Sequence, residues 1–299
     1  GLMNIYAIQS ESFILFCLGS YLIGCLLGFG QLYRFAAIEV TPKEHTARAV
    51  SLVLFGGILS GVLGPGIALL TKDWVEGAPF MGSYQSLIGL YILIFLLLQL
   101  VDLPKPAASE QQPRTRPFWE ITRQTSWKVS ILSAALGYAA MSLVMTATPL
   151  SMQAHHHSFS TSAFVIQWHI IAMFLPSFFT GNIIQCFGSK NIMLVGIGLN
   201  LLCILINTQG QFFVFYWSAL ILLGVGWNFM FIAGTTLLTE TYRPEEKALV
   251  QGVNDVLVFG SAASGSLLAG VLQNHIGWES LNTVLAPPLL LLAGWLLWL

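Results

Sequence analysis

The chain has 299 residues, 56% hydrophobic and 8% charged, with a formal net charge of −1. An ordinary soluble domain carries about 25% charged residues, so 12 Lys and Arg plus 13 Asp and Glu cannot cover a water-facing surface here. Nucleic acid demands a clustered basic field that this chain lacks. A soluble enzyme, a disordered chain and a nucleic-acid partner are excluded together. What remains is an all-α polytopic helix bundle embedded in the lipid bilayer, in keeping with a mean hydropathy of +0.75.

A membrane-crossing helix needs about 20 mostly apolar residues. In chain order, such runs occupy approximately 13–33, 49–70, 83–101, 129–150, 163–187, 192–207, 212–238, 248–272 and 281–299. They are too long and too continuous for the ten-residue alternation of a β-barrel. Residues 1–9 are apolar and read as the tail of an earlier helix. Cys17, Cys25, Cys186 and Cys203 each sit in an apolar run without a Cys-x-x-Cys spacing, and are expected to be small buried hydrophobes.

The cations orient the chain. Arg34, Lys43 and Arg48 flank the first connection, and Lys105, Arg114, Arg116, Arg123 and Lys128 the third. Lys190 follows the fifth run, and Arg243 with Lys247 the seventh. Eleven of 12 cations thus fall on alternate connections, Lys72 being the exception. By the positive-inside rule these connections are cytoplasmic, residue 1 is outside and Leu299 inside.

Two stretches echo each other. One has Gly28-Phe29-Gly30 followed by Pro42-Lys43-Glu44, the other Gly224-Val225-Gly226 followed by Pro244-Glu245-Glu246. The offsets are 224 − 28 = 196 and 244 − 42 = 202, about the length of six membrane helices with their loops. The polar stretch around Pro104, Pro106, Pro113 and Pro117 then divides two halves. The expected organisation is a partial N-terminal transmembrane half (1–101), a cytoplasmic central loop (102–128) and a six-helix C-terminal half (129–299).

Three local patterns carry a family resemblance. Ser60-Gly61-Val62-Leu63-Gly64-Pro65-Gly66 is similar to a Gly-x-x-x-Gly-Pro antiporter motif, with Ser60 in place of the first Gly. Gly181-x-x-x-Gln185-x-x-Gly188-Ser189-Lys190 resembles a Gly-x-x-x-Asp-x-x-Gly-Arg-Lys loop, with Gln185 where the acid is usual. The third is the Tyr242-Arg243-Pro244-Glu245-Glu246 turn before a small-residue helix. The chain resembles a permease of the major facilitator superfamily lacking about three of its twelve helices. The resemblance implies a major facilitator fold and secondary transport of a small organic solute by alternating access. It also implies no cofactor, a monomer and a bacterial inner-membrane location. Gly64 and Pro65 would shape a gate and tilt the reading toward H⁺-coupled export; Gly181, Gly188 and Lys190 would form the loop motif.

Within the spans, polar residues are the candidates for chemistry. Asp255 lies eight residues past Lys247, about 12 Å in at 1.5 Å per residue. An intramembrane acid suggests a proton site; the alternative is an anchoring contact near the helix end. Gln251, Ala262 and Ser266 share its face. His169 could also carry a proton, or sit neutral and hydrogen-bonded in the bundle. Asn228, Trp227, Asn254, Gln167 and Tyr138 are candidate walls of the solute cavity, with interhelical glue as the alternative for the asparagines. Arg34 and Glu39 read as an interfacial ion pair or as snorkelling side chains. The run His155-His156-His157 reads as a solvated outer loop rather than a metal site. No Gly-x-x-x-x-Gly-Lys-Ser/Thr, His-Glu-x-x-His or Gly-x-Ser-x-Gly occurs, which argues against an ATP-driven pump and against common membrane hydrolases. The remaining rivals to a carrier are a non-transporting fragment of one and an intramembrane enzyme.

Overall fold

A computed structural model describes residues 1–30, 46–100 and 116–299, and the side chains of all of these except Leu27, Phe29 and residues 46–55. The Arg34–Glu39 pair, the Pro42-Lys43-Glu44 turn, the side chain of Arg48 and most of the central connection lie outside the described residues. The chain forms two compact units, Gly1–Ala108 and Ser109–Leu299. The described residues are helical and contain no strand.

The first unit holds α1 (Leu2–Gln9), α2 (Phe13–Gly30), α3 (Thr46–Thr71) and α4 (Met81–Leu98). Helix α1 packs on α2 and α4, and α3 packs on α4. Buried Asn4 ties the first pair by donating to Phe16 O at 3.3 Å and Ser20 Oγ at 3.2 Å.

The second unit holds α5 (Phe118–Arg123), α6 (Thr125–Ala154), α7 (Phe159–Phe174), α8 (Ser177–Phe187), α9 (Ser189–Asn207), α10 (Phe213–Thr239), α11 (Lys247–Thr283) and α12 (Ala286–Trp298). Helix α10 is central, touching α6, α7, α8 and α9; α6 packs most closely on α11. Each apolar run falls mainly on helix over its described residues. Four of these helices, Met81–Leu98, Thr125–Ala154, Ser189–Asn207 and Phe213–Thr239, are individually long and apolar enough to cross a membrane. The continuous stretch Pro244–Trp298 also qualifies, and α7 with α8 qualifies as one bent pair.

Local chemistry explains where these helices break. Pro176 has no N–H and its ring would clash with the carbonyl four residues back, so α7 and α8 meet at a 43° bend. Gly188 follows α8 at φ 79°, ψ 151°, a conformation that favours glycine. The expected eighth and ninth runs differ from the helices. Helix α11 runs on to Thr283 and is kinked at Gly277 (φ 74°), while α12 begins at Ala286 with prolines in its first turn. Those prolines need no amide hydrogen there.

Helix α6 ends in a Schellman turn. His157 N donates to Met152 O at 2.9 Å and His156 N to Gln153 O at 3.1 Å, with His156 left-handed at φ 63°. The triple-histidine run is therefore a built helix end. His157 Nε2 lies 2.8 Å from Gln211 O, and His155 Nδ1 lies 2.7 Å from Ser151 O.

Polarity runs inside out. Fully buried positions include Ser130, Ser133, Thr148, Ser151, Thr180, Asn200, Asn207, Asn228 and Asn282, while Leu93, Leu96, Leu267 and Leu291 stay exposed. Lipid is as apolar as leucine, so packing and interhelical hydrogen bonds hold such helices together. Small residues let backbones approach: a Cβ on Gly196 would lie 2.9 Å from Gly226 O, and one on Gly265 would lie 2.7 Å from Ala139 O. The cysteines depart from expectation. Only Cys203 is buried; Cys17, Cys25 and Cys186 are exposed, and all four are free. A thiol is apolar enough to face lipid, so an apolar run does not imply burial.

Candidate solute and coupling site

Asp255 is half-exposed on α11, its Oδ1 accepting from Asn254 Nδ2 at 3.2 Å. Phe259 lies one turn further on, and Ser266 continues the same face. Ser266 Oγ is 3.2 Å from Thr146 Oγ1 of α6. Gln251, expected beside Asp255, instead donates to Tyr242 Oη at 2.8 Å. Asn254 is buried on the adjoining stripe with Val258, Ser261 and Gly265. That stripe packs on α6, where Ser261 Oγ donates to Ala135 O at 2.9 Å.

His169 is fully buried on α7. Its Nδ1 lies 2.7 Å from Leu220 O of α10. A carbonyl can only accept, so Nδ1 carries a hydrogen, and Nε2 meets no partner. Gln167 is half-buried on the same helix, while Trp168 turns outward at 39% exposure.

Asn228 bridges the broken span. From α10 its Nδ2 donates to Met173 O at 2.7 Å and Ser177 Oγ at 2.6 Å, and its Oδ1 accepts from Thr180 Oγ1 at 2.7 Å. The bend at Pro176 interrupts the helical ladder, and Asn228 bonds Met173 O beside the break. Fully buried and fully engaged, Asn228 pins α7 and α8 to α10.

Trp227 and Tyr138 sit in one aromatic cluster. Tyr138 of α6 meets Trp227 edge-on at 5.1 Å, Phe231 at 5.4 Å and Phe259 of α11 at 5.5 Å. The sequence reading missed Phe231 and Phe259. The four-residue spacing of Trp227 and Phe231 was their one available signal, and apolar spacing is uninformative in a lipid-embedded helix.

The motif residues are dispersed. Pro65 lies inside α3. Gly64 lines a cavity of about 250 Å³ between α3 and α4 with Ile67, Ala68, Ser83, Tyr84 and Leu87. Gly181 is exposed on α8, and Gly188 and Lys190 are exposed at the α8–α9 turn. Gln185 is exposed there as well.

A further site lies at the end of the second unit where α11 begins. Glu246 is buried and receives Arg116 Nε at 2.8 Å, Arg116 Nη2 at 2.7 Å and Arg243 N at 2.9 Å. Arg116 also donates to Thr241 O at 3.3 Å, and Gln124 to the same carbonyl at 2.9 Å. The bidentate guanidinium holds the Glu246 carboxyl down at about 2, and the carboxylate in turn raises Arg116. The clamp ties the segment before α5 to the α10–α11 turn. In the sequence, Arg116 is legible only as a topological charge. Among the described residues, no group of three or more His, Cys, Asp or Glu is placed to hold a metal ion.

The bent span, the buried polar pins and the exposed apolar faces together describe a membrane bundle, and comparison with known proteins specifies which. Residues 130–299 match the family model of the Major Facilitator Superfamily. The chain belongs to that superfamily. It is 37% identical over 289 residues to the riboflavin transporter RfnT of Brucella anthropi, covering 96% of this chain and 73% of that protein. It is 29% identical to each of two uncharacterized MFS-type transporters of Bacillus subtilis, YddS and YdeG, covering 65% and 62% of their lengths. The chain therefore spans 62–73% of the length of these superfamily members. Like other members it is an integral, multi-pass, all-α membrane protein.

Proposed function

We propose that this superfamily member is a secondary transporter that moves a small organic solute by alternating access, and that the solute is a flavin. The observation that carries this reading is the 37% identity, over 96% of the chain, to a protein named as a riboflavin transporter. Residues 129–299 would form one half and residues 1–101 part of the other, a division supported by the family match over 130–299. Bacterial relatives support a plasma-membrane location. The alternating cations support a cytoplasmic Leu299.

Asp255 is the proposed coupling residue. It is the acid placed well inside a span, half-exposed, with one amide as its recorded partner. A carboxyl there can hold a proton when open to one side and release it to the other. His169 is the second candidate, but its ring is sealed between α7 and α10 in this conformation. The resemblance around Gly64 and Pro65 favours exchange of solute against protons.

Liposome flux tests both parts. The chain, in parallel with one extended upstream, is reconstituted and riboflavin movement followed with and without a proton gradient. Flux that collapses when the gradient is dissipated is expected. Asp255→Asn should abolish gradient-driven accumulation yet retain downhill exchange of riboflavin. Accumulation unchanged in this variant would remove Asp255 from the coupling step. Failure of both chains to move riboflavin would overturn the flavin reading.

A further inference from the structure

Trp227 lies 14 residues from the start of α10 and 12 from its end, about 18–21 Å from either end at 1.5 Å per residue. Its indole is stacked on Phe231, centroids 5.2 Å apart and planes 8° off parallel. Tyr138 stands edge-on to Trp227, Phe231 and Phe259, and Phe174 of α7 lies 6.3 Å from Trp227. Tyr138 and Phe259 occupy the middle of α6 and of the first segment of α11, so three helices bring aromatic rings to one depth. The cluster has an open side: Phe259 is 37% exposed and Tyr138 and Phe231 are half-buried.

The indole N–H of Trp227 is buried and meets no acceptor. An unpaired donor inside a bilayer is costly, since no water is there to bond it. Three other buried indoles, those of Trp127, Trp217 and Trp278, are also unpaired. Their positions account for them. Trp127 is two residues into α6, Trp217 four into α10, and Trp278 adjoins the Gly277 kink near the end of α11. Tryptophan is ordinarily enriched at those interfacial depths. Trp227 is the one of the four at mid-span, where a bound solute would supply the acceptor.

We infer that this cluster is the ring-binding wall of the solute site, and that Trp227 donates its N–H to a carbonyl at the edge of a planar fused heteroaromatic ring. Tyr138, Phe231 and Phe259 supply the apolar faces and edges against which such a ring packs at 4.5–7 Å spacings. The assignment rests on the flavin reading above and names how a flavin would be recognised. A flavin ring is flat, fused and carries two carbonyls beside an imide nitrogen, so it offers both the face and the acceptor. A purely aliphatic or polyol solute offers neither.

The test measures binding of riboflavin and of lumichrome, the flavin-type ring without its hydroxylated tail, by fluorescence quenching on the purified full chain. Trp227→Phe keeps a ring and removes the N–H. The expected result is a Kd raised about threefold to tenfold for both ligands, as for one lost hydrogen bond, with an unchanged melting temperature. Phe259→Leu, on the exposed rim, should weaken both ligands too. If wild-type protein binds riboflavin and both variants bind it equally well, the ring wall is overturned while the flavin reading stands. If wild type binds lumichrome, weakened by Trp227→Phe, yet moves no riboflavin, the wall stands and the transported solute is a different planar ring. Binding of neither ring overturns both.

Discussion

Replacing Asn228 with leucine should loosen the bend between α7 and α8 without opening a cavity, because the two side chains branch alike with the same number of heavy atoms and leucine is not the smaller. The side chain makes three hydrogen bonds across to the bent span, at 2.7, 2.6 and 2.7 Å. They are not equally hard to lose. Thr180 Oγ1 also lies 2.8 Å from Pro176 O and can turn to it. Met173 O has no such recourse, because the bend at Leu175–Pro176 has interrupted the ladder that would otherwise bond it. Interhelical hydrogen bonds in membrane proteins contribute about 0.6 kcal/mol on average and up to about 1.7 kcal/mol. Two bonds lost outright and one partly recovered give about 1–2 kcal/mol. For a chain of this size that is a fall of roughly 2–8 °C in melting temperature.

Thermal unfolding in detergent measures the loss, and hydrogen exchange over residues 173–180 locates it. Thr180→Val should lose less than Asn228→Leu, since it removes the recoverable bond alone. An unchanged melting temperature and unchanged exchange in Asn228→Leu would refute the pin. If that variant instead lost solute binding with its stability intact, Asn228 would be a solute ligand and not a structural one.

Two further outcomes follow from the ends of helices. His156→Gly should raise stability by about 1 kcal/mol, because it relieves a left-handed, exposed non-glycine residue that costs about 1–2 kcal/mol; a lower melting temperature in the variant would show that the imidazole is held by contacts. Glu246, held at about 2 against an ordinary 4.5, binds protons more weakly folded than unfolded. Its contribution is therefore complete above pH 4.5 and lost as pH falls from 4.5 toward 2. Glu246→Gln should lower the melting temperature at neutral pH and flatten its fall across that window, and parallel melting curves of variant and wild type from pH 6 to pH 3 would contradict the clamp.

The spans are legible in the chain because lipid contact requires long apolar runs, and nothing else in a 299-residue sequence produces them in such number. What interrupts them is only half legible. Pro176 announces a break, but the residue that stabilises it stands 55 positions from Met173. Nothing in the local pattern distinguishes Asn228 facing a bend from Asn228 facing a solute. Gly277 is harder still, since glycine is common in membrane helices and only a positive φ marks this one as a kink. The Arg116–Glu246 clamp spans 130 positions and joins residues that are legible in the sequence only as a topological charge and part of a turn. In each case the missing information is a long-range pairing, and a period read along one helix does not contain it.

Those pairings also narrow what the solute can touch. Asn207 and Asn282 bond each other at 2.7 Å, Ser151 and Tyr216 at 2.8 Å, and Ser133 donates to Met230 O at 3.1 Å. With Asn228 on the bend and Ser261 on Ala135, these groups are committed to holding helices together. In the second unit, Lys128, Lys190, Arg243 and Lys247 all stand within a few residues of helix ends. Among the described residues of that unit, mid-span chemistry then rests on the half-exposed carboxyl of Asp255, the sealed ring of His169, the indole N–H of Trp227 and the rings around Tyr138. A strongly anionic solute would find no cation at that depth among the described residues of the second unit, and an ion without a partner is expensive inside a membrane. One titratable acid beside an aromatic wall suits a neutral, planar solute moved together with, or against, a proton.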